Sequence, residues 1–251
     1  MAQKKFTKLS ILIYISFLCI WAISAVLPEI FGPKAKIFSN IIFLFICVGI
    51  TGIATPIIIM RKYNVAYHYQ ATMTSIIAGI IMYLIASIIE ITFFTSWATI
   101  ITSSDNNAIT IKHILITLPI SIALCLQFYL MIPIALIRRF QENNLTILMT
   151  ILISAISMGF GLFIETGFRN AEVFLTMVLI GFFLGAGSVL TGKFFLTFTT
   201  LFLIIYTNSL AMVRYIDFSF PVAITGFIFC ISALLIGFAI QIKYSGTEHL
   251  L

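Results

Sequence analysis

Residues 114–137 read ILITLPISIALCLQFYLMIPIALI, a run of 24 residues without a charged side chain. Lys112 precedes the run, and Arg138 and Arg139 close it. About 20 apolar residues in a helix cross the roughly 30 Å hydrocarbon core of a bilayer. Lipid offers no partner to a backbone N–H or C=O group, so a single segment crosses only as a helix. The run therefore predicts a membrane-spanning helix.

The composition of the whole chain agrees with this interpretation. Of 251 residues, 61% are hydrophobic and 9% are charged, whereas soluble domains carry about 25% charged residues. The net charge of +6 comes from Lys and Arg residues scattered singly or in pairs. That scatter excludes a nucleic-acid-binding face and is typical of topology signals. We therefore predict that the chain is embedded in a lipid bilayer.

Further apolar segments predict an all-α polytopic membrane protein. The first segment has a basic flank like that of a signal peptide, but its apolar core is long and more spans follow, so we interpret it as a span. Short loops leave no room for a soluble domain and predict one transmembrane bundle over 1–251. At 190–195, either a tight hairpin or a re-entrant break is compatible with the sequence. The eight predicted spans are 10–27, 37–60, 73–99, 114–137, 145–165, 173–191, 194–213 and 221–242.

Basic residues orient these spans. With the amino terminus inside, nine Lys and Arg residues fall on the inner side and five on the outer side. The positive-inside rule then predicts that both termini are cytoplasmic and that the protein lies in the cell membrane. The inner nine are Lys4, Lys5, Lys8, Arg61, Lys62, Arg138, Arg139, Lys193 and Lys243.

Polar residues inside the spans are the candidate binding or proton-coupling groups. Glu90, in LIASIIEITFFT (84–95), is the only acid deep within a predicted span. A buried carboxylate in lipid is costly, so Glu90 either titrates or binds a cation in a hydrated cavity, or is protonated and hydrogen-bonded. Gln127 lies mid-span in the following segment and is its natural first partner, because hairpin neighbours usually touch. Asn208, in IIYTNSLAMV, is the third candidate.

Small residues predict close helix contacts. Gly181 and Gly185 have a GxxxG spacing, and Ala155 and Gly159 repeat it in the preceding span. Such spacing lets two backbones approach closely, so we assign these glycines to helix packing. Prolines within spans free backbone carbonyls and kink helices; they are Pro56, Pro119 and Pro133.

The sequence offers little for catalysis. The three histidines (His68, His113 and His249) fall in predicted loops or in the C-terminal tail, and the four cysteines stand singly in apolar runs. We therefore predict no metal site, no cofactor and no assigned catalytic residue.

One segment resembles a known enzyme family. FIETGFRNAEVF is similar to the Glu-x-x-x-Arg core of the glutamic intramembrane proteases of the CAAX-protease family, through Glu165 and Arg169. That family is also built on eight helices. Its motif begins with paired glutamates, whereas Ile164 precedes Glu165 here, and Ile204 stands where a later histidine belongs. The resemblance implies a degenerate, inactive relative.

Three functions remain open. The first is a membrane transport component, either a small carrier or the permease subunit of a multisubunit transporter that works with other membrane subunits or an ATPase. The second is a non-catalytic structural subunit of a larger membrane complex. The third is the degenerate protease-like protein. An enzyme is the least favoured class, because no catalytic constellation lies within the spans.

Overall fold

The computed structural model describes residues 2–32, 34–63, 65, 72–93, 107–140, 143–165, 171–209 and 218–245. Within these ranges the chain forms helices and no strand, so the prediction of an all-helical fold is confirmed for the described residues. Three consecutive segments, Asn107–Leu124, Cys125–Met131 and Ile132–Phe140, make one unbroken helix, α4. The other helices are α1 (Ala2–Phe31), α2 (Ala35–Lys62), α3 (Met73–Phe93), α5 (Asn144–Glu165), α6 (Ala171–Thr191), α7 (Phe194–Ser209) and α8 (Phe220–Ser245).

Five of these helices are long and apolar enough to cross a membrane. In α3, α7 and α8 the described apolar stretch is shorter. One helix lies at the position of each predicted span. Residues 94–99 and 210–213, which are the last residues of two predicted spans, lie outside the described residues. The five long stretches are Lys4–Phe31, Ala35–Lys62, Ile111–Phe140, Asn144–Gly161 and Phe174–Thr191.

Helix α4, which contains the run 114–137, is the centre of the bundle. It packs against α1, α2, α5, α6, α7 and α8. Buried residues make up 83% of its most apolar window, against 28% for α1. Every residue of Cys125–Met131 is buried. A helix that is apolar on all sides can be enclosed by protein, and α4 is enclosed in this way.

Both α2 and α4 contain widened turns of the π type. Ile42–Ala54 of α2 and Cys125–Met131 of α4 are π-helical, so backbone N–H groups along these segments bond carbonyls five residues earlier instead of four. The Thr55 N–H bonds the Ile50 carbonyl at the end of the first segment, and the Ile132 N–H bonds the Gln127 carbonyl at the end of the second. Such turns are rare in proteins as a whole, but those that occur are often found at functional sites.

Aromatic rings join α1, α2 and α4 in the core. Phe17 lies 5.5 Å from Trp21 and 5.9 Å from Phe128 between ring centroids, and Trp21 lies 5.9 Å from Phe43. All four side chains are fully buried. The two contacts of Phe17 are edge-to-face, and such contacts stabilise beyond the area they bury. Helix α1 is therefore an integral part of the core.

Glycines bring α5 and α6 close together. A Cβ atom built at Gly181 would lie 2.9 Å from the Ala155 Cα, and one built at Gly159 would lie 2.5 Å from the Val178 Cγ2. At Gly185 the nearest atom, the Ile151 carbonyl oxygen, would be 3.3 Å away. The structure thus places all three glycines at the contact between the two helices, with the tightest backbone approach at Gly181.

A two-residue turn, Gly192 and Lys193, joins α6 to α7. Gly192 has φ +64°, a left-handed conformation that glycine adopts without strain, and its N–H bonds the Ser188 carbonyl at 2.9 Å. Leu196 lies against Gly187, so the chain reverses direction at this turn. Of the two alternatives at 190–195, the structure has the hairpin.

We expect Gly181→Ala to destabilise the protein by about 1–3 kcal/mol, because the new methyl group meets the Ala155 backbone, which cannot rotate away. The matched control is Gly185→Ala, one turn along the same helix, where the space is larger and the loss should be clearly smaller. Unfolding by denaturing detergent, followed by circular dichroism, measures both. Equal losses would show that the α5–α6 contact is not tightest at Gly181.

Candidate functional site

The polar contacts at the centre of the bundle arise because proline leaves backbone carbonyls without hydrogen-bond donors. Proline has no N–H, so in an α-helix the carbonyl four residues earlier loses its partner. In a π-type turn the carbonyl five residues earlier loses it instead. A buried carbonyl without a partner is costly, and in lipid no water supplies one. Each such carbonyl therefore needs a donor from elsewhere.

Pro56 follows the widened segment of α2, so the carbonyl five residues earlier, that of Thr51, lacks a backbone donor. The side-chain amide of Gln127, in the widened segment of α4, donates its Nε2 hydrogen to this oxygen at 2.6 Å. Proline in one helix thus creates the acceptor for an amide in another. This bond ties α2 to α4 across 76 residues of chain.

Pro133 has the same effect on α4, where two carbonyls lose their donors. The change from five- to four-residue bonding falls at Pro133, so the missing N–H and the change of register together leave the carbonyls of Phe128 and Tyr129 without backbone donors. The Ser154 hydroxyl of α5 donates to the Phe128 carbonyl at 2.6 Å, and the Ser188 hydroxyl of α6 donates to the Tyr129 carbonyl at 2.9 Å. Both hydroxyls are buried. Pro133 therefore attaches α4 to α5 and α6.

A third proline repeats the pattern in α1. Pro28 leaves the Ser24 carbonyl without its α-helical donor, and the Ser39 hydroxyl of α2 donates to that oxygen. Side chains of neighbouring helices thus cap four carbonyls near Pro28, Pro56 and Pro133, namely those of Ser24, Thr51, Phe128 and Tyr129. Interhelical hydrogen bonds of this kind hold membrane helices together.

Two polar atoms at the centre stay unpaired among the described residues. They are the Gln127 Oε1 and the Tyr129 hydroxyl, both buried. An unsatisfied buried acceptor costs about 1–3 kcal/mol. Such a group in a well-packed interior is a reason to look for a functional role. We call the set Thr51, Gln127, Tyr129, Ser154 and Ser188 the crossing site.

The crossing of α2 and α4 is unusually close. A Cβ atom at Gly52, next to Thr51, would lie 2.6 Å from the Ala123 Cβ and 3.1 Å from the Phe17 Cε2. No larger residue fits at Gly52 without moving one of the three helices. The close approach is what brings the Gln127 amide within reach of the Thr51 carbonyl.

The crossing site is neutral and built from amide, hydroxyl and carbonyl groups. These groups bind a polar solute or a weakly hydrated cation through hydrogen bonds and dipoles, and they supply no strong base or nucleophile. Within the described residues, no three His, Cys, Asp or Glu side chains are arranged to hold a metal ion. The groups of the crossing site are therefore suited to binding through hydrogen bonds.

Glu90 lies in α3, near the end of the described helix, and its side chain lies outside the described residues. Met82 of α3 and Tyr129 of α4 both lie level with the Gly187–Ser188 pair of α6. At about 1.5 Å per residue, Glu90 is then roughly 12 Å beyond that level and Gln127 roughly 3 Å beyond it, in the same direction. The Gln127 amide bonds Thr51, and its pairing with Glu90 stays a prediction.

The other predicted site residues fall at the margins of the described chain. Asn208 and Glu165 lie in the last turns of α7 and α5, and their side chains are outside the described residues, as is all of Arg169. The placement of His113 in a loop was wrong: α4 begins at Asn107, and His113 is a buried residue of that helix. The apolar run begins at 114, but the helix starts about two turns earlier because polar residues continue it beyond the run.

Sequence reasoning did not identify Thr51, Ser154 or Ser188 as partners. The signal for Thr51 was available, because it stands five residues before Pro56 in a segment that widens. Without the widening, the same rule selects the wrong carbonyl, that of Gly52. The serines carry no signal of their own, since Ser and Thr are common in membrane helices.

Comparisons with protein-family models, with curated proteins and with solved structures found no match. The function of the protein must therefore be inferred from the chemistry of its own residues.

We expect Ser154→Ala and Ser188→Ala each to destabilise the protein by about 0.6–2 kcal/mol, because each leaves a proline-freed carbonyl of α4 without a donor. Ser16→Ala is the control, since the Ser16 hydroxyl bonds only its own helix, at the Leu12 carbonyl. Detergent unfolding measures all three. Stability unchanged in both serine variants would mean that these hydroxyls do not support α4.

Proposed function

We propose that the chain is an integral protein of the cell membrane with eight spans and both termini in the cytoplasm. Five helices of sufficient length and apolarity support the membrane placement. The orientation is supported by the nine basic residues at the proposed inner end against five at the outer end. An even number of spans returns the chain to the side on which it starts.

This topology predicts a labelling pattern. In spheroplasts, a cysteine at Lys34 should react with a membrane-impermeant maleimide, and one at Lys193 should react only after the membrane is opened. Three of the natural cysteines, Cys47, Cys125 and Cys230, are buried and give little background. The reverse pattern would invert the proposed orientation, and labelling of both from outside would remove one of the spans between them.

We further propose that the protein is a membrane transport component, a small carrier or a permease subunit. The observation that carries this proposal is the unpaired, buried Gln127 Oε1 at the crossing of two widened helices. Transporters commonly bind solutes near mid-membrane where helices are interrupted and backbone groups are exposed. An acceptor left open at such a place is suited to a solute that donates hydrogen bonds.

The widened turns provide a means of movement. Converting a π-type turn to an α-helical turn shifts the hydrogen-bond register by one residue and rotates the helix beyond it. Pro56 and Pro133 stand at the ends of the widened segments, where the backbone ladder is already open. A solute that donates to the Gln127 Oε1 and also offers an acceptor to Nε2 in place of the Thr51 carbonyl would release α2 from α4. This difference between two bound states is what allows a ligand to shift a conformation.

Glu90 is the proposed coupling group. It lies roughly 9 Å from Gln127 along the bundle axis by the rise of 1.5 Å per residue, on the side toward the outer surface. A carboxyl group at such a depth binds or releases a proton when its access to water changes. Protonation of Glu90 and solute binding at Gln127 are then separate events in one cycle.

A second function, that of a structural subunit, is favoured by one feature of α7. Its rings form a row at every fourth position, with centroids 5.9–6.1 Å apart and each ring half-buried: Phe194, Phe198, Phe202 and Tyr206. Such a row suits contact with a partner helix in the membrane. Solubilisation in mild detergent tests this candidate, because a stable, monodisperse isolated chain would count against an obligate subunit.

We expect Glu90→Gln to lower proton entry into vesicles at least tenfold, because the amide cannot carry a proton. The purified chain is reconstituted with an internal pH dye, and a potassium diffusion potential drives the flux. Gln127→Leu should also lower the flux, since it removes the open acceptor. Thr225→Ala is the control, because its exposed hydroxyl bonds only its own helix.

A normal flux in Glu90→Gln with intact helicity would refute the coupling role of Glu90. A wild-type flux no higher than that of protein-free vesicles would show that the chain alone carries no uncoupled proton flux. Co-purification of an ATPase then tests whether the chain is a permease subunit.

A further inference from the structure

The basic ends of three helices meet at one end of the bundle. Three lysines lie in the first turns of α1, an Arg–Lys pair ends α2, and an Arg–Arg pair lies in the last turn of α4. The segments are far apart in sequence, and the fold brings them together. We call this set the basic collar: Lys4, Lys5, Lys8, Arg61, Lys62, Arg138 and Arg139.

An aromatic contact holds the collar together. Phe6 is fully buried, its ring centroid is 5.4 Å from that of Tyr63, and the Arg138 guanidinium carbon lies 5.4 Å above the Phe6 ring. Arg138 also donates to the Tyr63 carbonyl at 3.4 Å, and the Thr7 hydroxyl donates to the Ala135 carbonyl at 3.2 Å. The first turns of α1 are thereby fixed against the ends of α2 and α4.

The position of the lysines is unfavourable for α1 itself. The amino-terminal end of a helix carries partial positive charge and is stabilised by acids, yet the first turn of α1 has none. Lys4, Lys5 and Lys8 therefore add to the positive field of the helix end. Helix stability does not account for them, whereas an external anion does.

The collar presents its charge outward. Lys4, Lys5, Lys8, Lys62 and Arg139 are exposed, and Arg61 and Arg138 are half-buried. Seven basic residues give a formal charge of +7.

We propose that the basic collar binds the phosphate headgroups of anionic phospholipids in the surrounding membrane. It lies where the apolar stretches of α1, α2 and α4 end, which is the level of the headgroups. Guanidinium groups bind phosphate oxygens in a bidentate manner, and lysines add point charge. Near an anionic surface each basic residue strengthens attraction about fivefold. The proposal requires the membrane placement and does not depend on transport.

The test uses the full chain reconstituted in phosphatidylcholine vesicles that contain trace spin-labelled lipid. We expect the motionally restricted fraction to favour phosphatidylglycerol over phosphatidylcholine by about fivefold at low salt. K4Q/K5Q, which removes two of the seven charges, should lower this ratio clearly, and K34Q/K36Q, at the opposite end, should leave it unchanged. Both pairs are on the surface, and circular dichroism checks that the variants are folded.

A third variant separates geometry from charge. Phe6→Leu keeps all seven charges and removes the ring beneath Arg138, so the preference should fall to roughly half while the net charge is constant. An unchanged preference in Phe6→Leu would overturn the idea of an assembled collar. Equal loss in K4Q/K5Q and K34Q/K36Q would overturn the localisation, because it would reflect charge anywhere on the protein.

Soluble phosphate is distinguished in the same assay. Inorganic phosphate at 10 mM, against chloride at equal ionic strength, should leave the lipid preference unchanged. If phosphate abolishes it, the collar is a site for a soluble anion and the lipid proposal fails. No step measures flux, so a negative transport assay has no bearing on this result.

Discussion

The constraint on which this bundle depends is the need to pair the carbonyls that proline leaves open inside an apolar environment. An open carbonyl in water costs little, but in the interior of a membrane bundle it must find a donor or raise the energy of the fold. Pro56 and Pro133 open the carbonyls of Thr51, Phe128 and Tyr129, and donors from α4, α5 and α6, respectively, close them. Because no hydrophobic effect separates helix from lipid, these bonds and close packing decide which helices meet. The prolines thereby select the neighbours of α2 and α4.

The same constraint explains the kinds of polar residue found in the interior. Serine, threonine and glutamine supply donors without charge, so they cap a carbonyl at a lower desolvation cost than lysine or arginine. Serine is small enough to allow close approach between helices, and glycine completes that approach at Gly52 and Gly181. Gln127 differs from the serines in one respect. Its amide has an acceptor as well as donors, and capping Thr51 leaves this acceptor without use.

The sequence predicts the helices well and the polar partners poorly, for a physical reason. Apolar runs bounded by charged residues predict where each helix lies, and a helix is present at each predicted span. The spacing of the glycines predicts the contact between α5 and α6. Partners depend on which carbonyl a proline opens, and this changes from four to five residues when the helix widens. No residue type signals the widening of Ile42–Ala54, a segment that packs against α1, α4 and α8. His113 illustrates the related limit, since apolar runs define a membrane span and not the full length of its helix.

Helix α4 connects the two polar regions of the molecule. Gln127 and Arg138 are eleven residues apart, roughly 17 Å at 1.5 Å per residue, and Pro133 lies between them. The segment beyond Pro133 is attached to α1 and α2 through Arg138, Phe6 and Tyr63, while the segment before it is attached to α2 through Gln127. A change of register in Cys125–Met131 must therefore either move the basic end of α4 or be absorbed at Pro133. The Ser154 and Ser188 bonds hold the two carbonyls at that point, so α5 and α6 form the support against which α4 bends.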